Sequence, residues 1–154
     1  MIHSYRSVVP DVRASARMAR SADVIGDLEQ AEDASAGCGT AMRGAAPFIR
    51  VGRGTGIPDD TIAQVDRNGS PTILEDYVRI GRAAPLRSCH VRLNGLVEIG
   101  TIVSPGAQVS KGSRLLDAPD RVKRSVTDMD LEFLCRSAKS CVALAAQYRA
   151  AAAI

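Results

Sequence analysis

Few residues of this chain could act as nucleophiles, general bases or metal ligands. It contains two histidines and four cysteines, which are His3, His90, Cys38, Cys89, Cys135 and Cys141. The cysteines form no CxxC pair, and their spacing matches neither a zinc site nor a disulfide framework. We therefore interpret them as small apolar core residues, and the sequence offers no support for a reactive thiol.

The adjacent residues Cys89 and His90 are the pair most able to bind a metal, provided that an oligomer repeats them around a symmetry axis. Neighbouring side chains on a β-strand point to opposite faces of the sheet, which argues against a joint site. A hydrogen-bonded or exposed histidine is the simpler interpretation of His90. We predict no catalytic role for His3, which lies in the N-terminal segment.

Length, composition and charge limit the class of protein. The 154 residues suit one domain, and aromatic residues make up only 3%, so the core must be built from aliphatic side chains. The net charge of +3 comes from arginines spread along the chain, which predicts a solvated surface and no nucleic-acid patch. No apolar stretch approaches the roughly 20 residues of a membrane span, and the start lacks a signal-peptide core. We expect a cytoplasmic protein.

An apolar residue recurs at every sixth position in each of four segments, and Gln30 is the polar exception. This period fits neither an α-helix nor a hairpin sheet, but it is typical of a parallel β-helix with three short strands per coil. We therefore predict a mainly β fold of hexapeptide repeats. Its inward positions are predicted to be Val12, Met18, Val24, Gln30, Ala36, Met42, Phe48, Val51, Ile57, Ala63, Leu74, Ile80, Leu86, Val91, Val97, Val103, Val109 and Leu115.

The segments between these positions carry the residues that tight corners need. Gly26, Gly81 and Gly112 each follow shortly after an inward position, and glycine tolerates the positive φ of such corners. Residues 67–71, Arg-Asn-Gly-Ser-Pro, break the period and predict a protruding loop.

The last part of the chain has helical character. Thr127 is a suitable N-cap, and acidic residues follow in the first turn, where the helix dipole favours them. An apolar stripe at helical spacing predicts packing along a β-helix, its own or a neighbour's. The stripe consists of Leu131, Leu134, Ala138, Cys141, Val142, Ala145 and Tyr148. We predict a single domain with a β-helix over residues 1–126 and an α-helix over residues 127–154.

Two inward positions weaken the repeat. An unpaired amide at Gln30 would cost roughly 1–3 kcal/mol, and Ala36 fills less space than a larger aliphatic residue would. We therefore predict a weak patch around residues 30–38 and a more ordered repeat over residues 91–115.

Several stretches resemble the γ-class carbonic anhydrases and their relatives. They include SADVIGD at 21–27, AMRGAAPFIRVG at 41–52, PTILEDYVRIG at 71–81, and residues 102–124 and 127–148. The resemblance keeps the order of these segments and covers nearly the whole chain. It implies a left-handed parallel β-helix, an exception to the usual crossover rule, and a homotrimer with sites between subunits.

Active members of that family hold zinc with three histidines, two from one subunit and one from its neighbour, and the metal lowers the pKa of bound water toward about 7. The family motifs place these ligands at Gln64, Arg82 and Arg87 of this chain. Protonated arginine cannot coordinate a cation, and glutamine is at best a weak ligand. The resemblance thus implies a divergent member with a lost metal site, no catalytic residue, no metal and no cofactor.

Residues that support the metal in the family also differ here. The family's Arg-Gly-Asp corresponds to Arg-Gly-Ala at 43–45, and its Asn-x-Gln-Asp corresponds to Gly-Ile-Pro-Asp at 56–59. Arg43 and Asp59 therefore remain as pocket or interface positions without the partners that the family provides.

Three functions remain open. The first is a non-catalytic trimeric scaffold or interaction protein with an unknown protein partner, and residual carbonate dehydratase activity is predicted to be absent. The second is acyl transfer, for which His90 is the candidate base, although the sequence shows no carboxylate fixed beside it. The third is binding of a small anion such as bicarbonate by Arg82 of one subunit and Arg87 of the next. These arginines could instead pair with Asp59 and Asp66 or turn to solvent.

Overall fold

The computed structural model of the chain describes residues 1–116 and 121–152, without the side chains of residues 121–123, 138, 145, 149 and 152. It is a left-handed β-helix of about six coils closed by a single C-terminal helix, which confirms the predicted fold class. The short strands of the coils lie on three faces, and the strands of neighbouring coils pair in parallel.

We number the three faces of the β-helix one to three, and faces one and two hold most of the strands. Two long strands, β4 (Asp23–Gln30) and β6 (Ala41–Val51), turn a corner and belong to face three with their first half and to face one with their second. The other strands of face one are β2 (Asp11–Val12), β9 (Thr72–Leu74), β12 (His90–Val91) and β14 (Gln108–Val109). Face two consists of β3 (Arg17–Met18), β5 (Ser35–Ala36), β7 (Gly56–Ile57), β10 (Arg79–Ile80), β13 (Leu96–Val97) and β15 (Ser113–Leu116).

Face three carries two of the three candidate ligand positions, Gln64 and Arg87. Besides the first halves of β4 and β6 it contains β1 (Ile2–His3), β8 (Ile62–Gln64) and β11 (Leu86–Arg87). The segment between β8 and β9 leaves the coil as a loop, as the sequence predicts for residues 67–71. Face three thus presents outward side chains from successive coils in one column.

The interior is aliphatic, as the six-residue period predicts. Val24, Met42, Ala63 and Leu86 stack along face three and are fully buried, and the other faces repeat this arrangement. Phe48 does not point inward as predicted, because β6 bulges over residues 45–48 and its pairing with β4 shifts by three residues, from Gly26 opposite Gly44 to Leu28 opposite Ile49. Ile49 occupies the interior there, opposite Leu28, and Phe48 lies half-buried outside it.

The end of the β-helix differs from the prediction in one respect. Strand β16 (Arg121–Ser125) does not continue the parallel coil but pairs antiparallel with β15. Helix α1 (Asp128–Ala152) follows directly and contacts β3 and β5, so it packs on face two of its own chain. The part of the chain that the structure describes contains no helix long and apolar enough to cross a membrane.

Residues 30–38 form an ordinary part of the second coil. Strand β5 pairs with β3 on one side and β7 on the other, and Ala34 and Ala36 are fully buried. The lower stability that we expect for this segment stays a prediction.

Candidate functional site

Two of the three positions that the sequence analysis predicts as former ligand positions lie in one column on face three. Gln64 pairs in register with Arg43 on the preceding coil and with Arg87 on the following coil. Each of these residues follows an inward aliphatic residue, so its side chain points outward. The structure therefore brings together Arg43, Gln64 and Arg87, which the sequence analysis singled out separately.

Arg87 already has an anionic partner within its own chain. Its Nε donates to Oδ1 of Asp66 at 2.7 Å, and the backbone N–H of Asp66 donates to Oγ of Ser88 at 2.9 Å. The Arg87 side chain is 50% exposed, so water screens this ion pair and its contribution to stability is small.

Arg82 lies at the corner between face two and face three, away from the column of Gln64. Its Nη2 is 3.9 Å from Oδ2 of Asp59, one coil below, and its side chain is 72% exposed. Asp59 also accepts a hydrogen bond from the backbone N–H of Cys38 at 2.8 Å. Both arginines thus approach the aspartates that the sequence analysis named as alternative partners, and a shared anion between subunits stays a prediction.

The donor set at the predicted ligand positions does not fit zinc. Two guanidinium groups and one amide replace three imidazoles, and a guanidinium offers only hydrogen-bond donors. Among the described residues, no three histidine, cysteine, aspartate or glutamate side chains are grouped closely enough to hold a metal ion. No metal-dependent step is therefore assigned to this site.

His90 has a fixed carboxylate partner, contrary to what the sequence suggested. Nε2 of His90 lies 2.7 Å from Oε1 of Glu75, and Oε2 of Glu75 accepts the backbone N–H of Leu93 at 2.8 Å. On the preceding coil of face one, Leu74 pairs in register with Val91, and Glu75 is the residue after Leu74. The 17-residue separation of Leu74 and Val91 was the sequence signal that could have revealed this contact.

The surroundings of Glu75 set its charge. Burial raises the pKa of this carboxyl, but the Leu93 N–H and the His90 side chain lower it more, so the pKa falls below its ordinary value. Glu75 is therefore ionised at neutral pH and orients His90.

The four cysteines, all of them described, form no disulfide and do not share one environment. Cys89 is fully buried, as expected of a core residue, whereas Cys38 and Cys135 are exposed and Cys141 is half-buried. The interpretation of all four as core residues is therefore wrong for Cys38 and Cys135, because they lie at a coil corner and on α1. Cys89 points inward and His90 outward, so the two do not form a joint site.

A groove between face two and α1 is a feature that the sequence analysis missed. It has a volume of about 370 Å³, and its lining includes Arg17, Arg79, Arg82, Asp59 and Cys141. Arg79 is 7% exposed although it points outward from β10, because α1 covers it. The helical stripe predicted that α1 packs on a β-helix, but not which face it covers.

Proteins of similar sequence support the resemblance to the γ-class carbonic anhydrases. The chain is 28% identical to "Carbonic anhydrase" of Geobacillus kaustophilus over 97% of its length and 92% of that protein. It is 30% identical to "Gamma carbonic anhydrase 1, mitochondrial" of Arabidopsis thaliana over 84% of its length, but spans only 55% of that longer protein. No protein-family model matches the chain.

A solved structure agrees with these relatives. The chain aligns with a hexapeptide transferase family protein of Anaplasma phagocytophilum at a TM-score of 0.82 and 28% identity, covering 96% of this chain and 97% of that one. Sequence relatives and coil architecture converge on one conclusion: the chain belongs to the γ-carbonic-anhydrase-like family of hexapeptide-repeat proteins.

Proposed function

We propose that this chain is a non-catalytic member of its family, a homotrimeric scaffold or interaction protein in the cytoplasm that has lost the zinc site. The observation that carries this proposal is the set of residues at the three ligand positions, Gln64, Arg82 and Arg87. Two of the relatives are named carbonic anhydrase, and this donor set cannot support zinc-dependent chemistry of that kind.

Electrostatics adds to this argument. Arg43 lies in the same column as Gln64 and Arg87, so the face that would receive a divalent cation carries two guanidinium groups on nearby coils. Asp66 offsets the charge of Arg87, whereas Arg43 forms no ion pair with any residue that the structure describes. A cation at this face would be repelled, since like charges at short range are unfavourable.

The homotrimer is supported by exposed apolar residues beside this column. Ile62 is 47% exposed and Ile102 is 50% exposed, and both precede inward residues of face three. Pro85 lies between them on the intervening coil, as shown by the hydrogen bond from the Val103 N–H to its carbonyl at 3.1 Å. An apolar column next to the former site is suited to burial between subunits.

Acyl transfer is the second candidate. The specific observation in its favour is the Glu75–His90 contact at 2.7 Å, because a carboxylate that orients a histidine is a common feature of general-base sites. Against it, none of the described grooves includes His90 in its lining. A histidine–carboxylate contact by itself is weak support for catalysis, so we favour the scaffold.

Metal analysis of the purified protein tests the main proposal. We expect zinc far below one equivalent per site and no CO2 hydration above the uncatalysed rate. Stoichiometric zinc together with CO2 hydration would overturn the proposal. Acyl-CoA turnover that is lost on His90→Ala would favour the second candidate instead.

Restoring the family ligands provides the positive arm of this experiment. The triple variant Gln64→His, Arg82→His and Arg87→His should bind zinc if the subunits assemble as proposed, because three imidazoles then meet across the interface. The matched control replaces the same residue types at outward positions elsewhere, with Gln108→His, Arg13→His and Arg53→His. Equal zinc binding by both triple variants would argue against a former site at these positions.

A further inference from the structure

The buried guanidinium of Arg79 has no hydrogen-bond partner. Its side chain is 7% exposed, and Nε, Nη1 and Nη2 are all inaccessible to solvent and unbonded within the described part of the chain. A buried charge without a counter-charge is unfavourable, so native structures normally pair such groups. The geometry therefore indicates a missing anionic partner.

The local sequence makes room for this side chain. Arg79 pairs in register with Gly56 of β7, and a Cβ atom at Gly56 would lie 2.6 Å from Nη1 of Arg79. Gly56 is not among the residues with positive φ, so its backbone conformation does not require glycine. The absence of a side chain at Gly56 instead allows the guanidinium to lie over β7, beneath α1.

The charges around Arg79 favour an anion. Arg17 and Arg82 line the same groove, and Asp59 is the one acidic residue in its described lining. Asp59 is already engaged by Arg82 and by the Cys38 N–H. The volume of about 370 Å³ exceeds that of a phosphate or carboxylate group with several waters, since each water occupies about 30 Å³.

We propose that the groove between face two and α1 is a binding site for a small oxyanion, of the phosphate or carboxylate class, held by Arg79 once its guanidinium turns toward the groove, with Arg17 and Arg82 at the edge of the site. Guanidinium forks bind such groups with two parallel hydrogen bonds. The site shares Arg82 with the predicted ligand positions, but it lies apart from the column of Gln64 and Arg87 and does not depend on the scaffold role.

The protein itself offers only a weak alternative counter-charge. Burial lowers the pKa of Arg79, and the thiols of Cys141 and Cys135 oppose this shift. Arginine nevertheless stays protonated in proteins, so its charge persists. A thiol balances that charge only as a thiolate, whereas phosphate and carboxylate are anions at neutral pH.

Thermal unfolding with added anion tests the proposal. Inorganic phosphate and bicarbonate are compared with chloride at constant ionic strength. Either oxyanion should raise the Tm of the wild-type protein by about 3–6 °C at ten times its dissociation constant. Arg79→Met should melt at or above the wild type without oxyanion and lose the shift, because an apolar side chain of similar volume needs no counter-charge. Arg67→Met, in the exposed loop outside the groove, is the control and should keep the full shift.

A wild-type Tm that is equal in chloride, phosphate and bicarbonate would overturn the proposal, as would an undiminished shift in Arg79→Met. If Arg79→Met does not fold, alkylation of the wild-type protein by iodoacetamide decides the question. Cys141 lines the groove, so bound phosphate should slow its alkylation several-fold, whereas the exposed Cys135 should react at an unchanged rate. Equal protection of both thiols, or of neither, would contradict the site.

Discussion

At the scale of the residue, Gln30 shows how one side chain departs from an otherwise uniform interior. It is 1% exposed at a position that neighbouring coils give to Val12 and Val51. Its Nε2 donates to the carbonyl of Arg17 at 3.1 Å, but Oε1 has no partner among the described residues. The amide is thus half satisfied, and an unpaired buried acceptor costs roughly 1–3 kcal/mol.

Gln30→Leu should therefore stabilise the protein. We expect the free energy of unfolding in urea to rise by about 1 kcal/mol, because removal of the unpaired oxygen outweighs the lost hydrogen bond to Arg17. Gln108→Leu, at an exposed outward position of face one, is the matched control and should change stability by less than about 0.5 kcal/mol. A loss of stability in Gln30→Leu would show that the amide is needed and that residues 30–38 are not weakened by it.

At the scale of the element, the start of α1 is held by a reciprocal cap. The backbone N–H of Asp130 donates to Oγ1 of Thr127 at 3.2 Å, and the Thr127 N–H donates to Oδ2 of Asp130 at 2.8 Å. Hydrogen bonds from Arg124 and from Thr127 hold the pKa of Asp130 well below its ordinary value of 3.8. This contribution to stability is therefore present above about pH 3.8 and is lost as the pH falls further.

Thr127→Ala should lower the free energy of unfolding by about 1 kcal/mol, because it removes the hydroxyl that accepts the Asp130 N–H. Thr127→Ser should recover most of this loss, since serine is an equally good N-cap. Ser140→Ala removes a hydroxyl from an exposed position in the middle of α1 and serves as the control, with no loss expected. Helix content by circular dichroism during urea unfolding measures all three, and an unchanged Thr127→Ala would mean that other contacts hold α1.

At the scale of the whole molecule, stacked coils produce columns of like residues on each face. Such columns place Ile62, Pro85 and Ile102 side by side on face three, next to the column of Gln64 and Arg87. Further apolar side chains, among them Phe133 of α1, are also exposed. In a repeat fold, residues at equivalent positions of successive coils align into a continuous column. Such columns make the faces effective interaction surfaces.

We expect sedimentation to give three times the 16.3 kDa chain mass. The double variant Ile62→Glu and Ile102→Glu should dissociate this trimer, because it places like charges in the column that the interface buries. Val8→Glu with Val9→Glu alters two exposed residues of the N-terminal segment and should leave the mass unchanged. A monomeric wild-type protein would contradict the proposed assembly.

Much of the fold could be predicted from the sequence, because a β-helix is a local and repetitive structure. The six-residue spacing of Val91, Val97, Val103 and Val109 specifies inward positions directly, and all four are buried. The prediction was wrong at Phe48, where a bulge in β6 shifts the register and Ile49 takes the inward place. A bulge depends on the neighbouring coil, and six-residue spacing carries no information about it.

The sequence by itself determined the repeat and the single C-terminal helix, whereas the ligand positions that the family motifs assign stay a prediction. Only the tertiary structure decided which distant residues meet: Asp66 with Arg87, Glu75 with His90, and α1 over Arg79. These contacts join residues of different coils, or of a coil and a helix. Whether such residues meet depends on the number of residues in each coil and on where the helix docks. The inward positions of the β-helix, in contrast, follow from the spacing of the apolar residues alone.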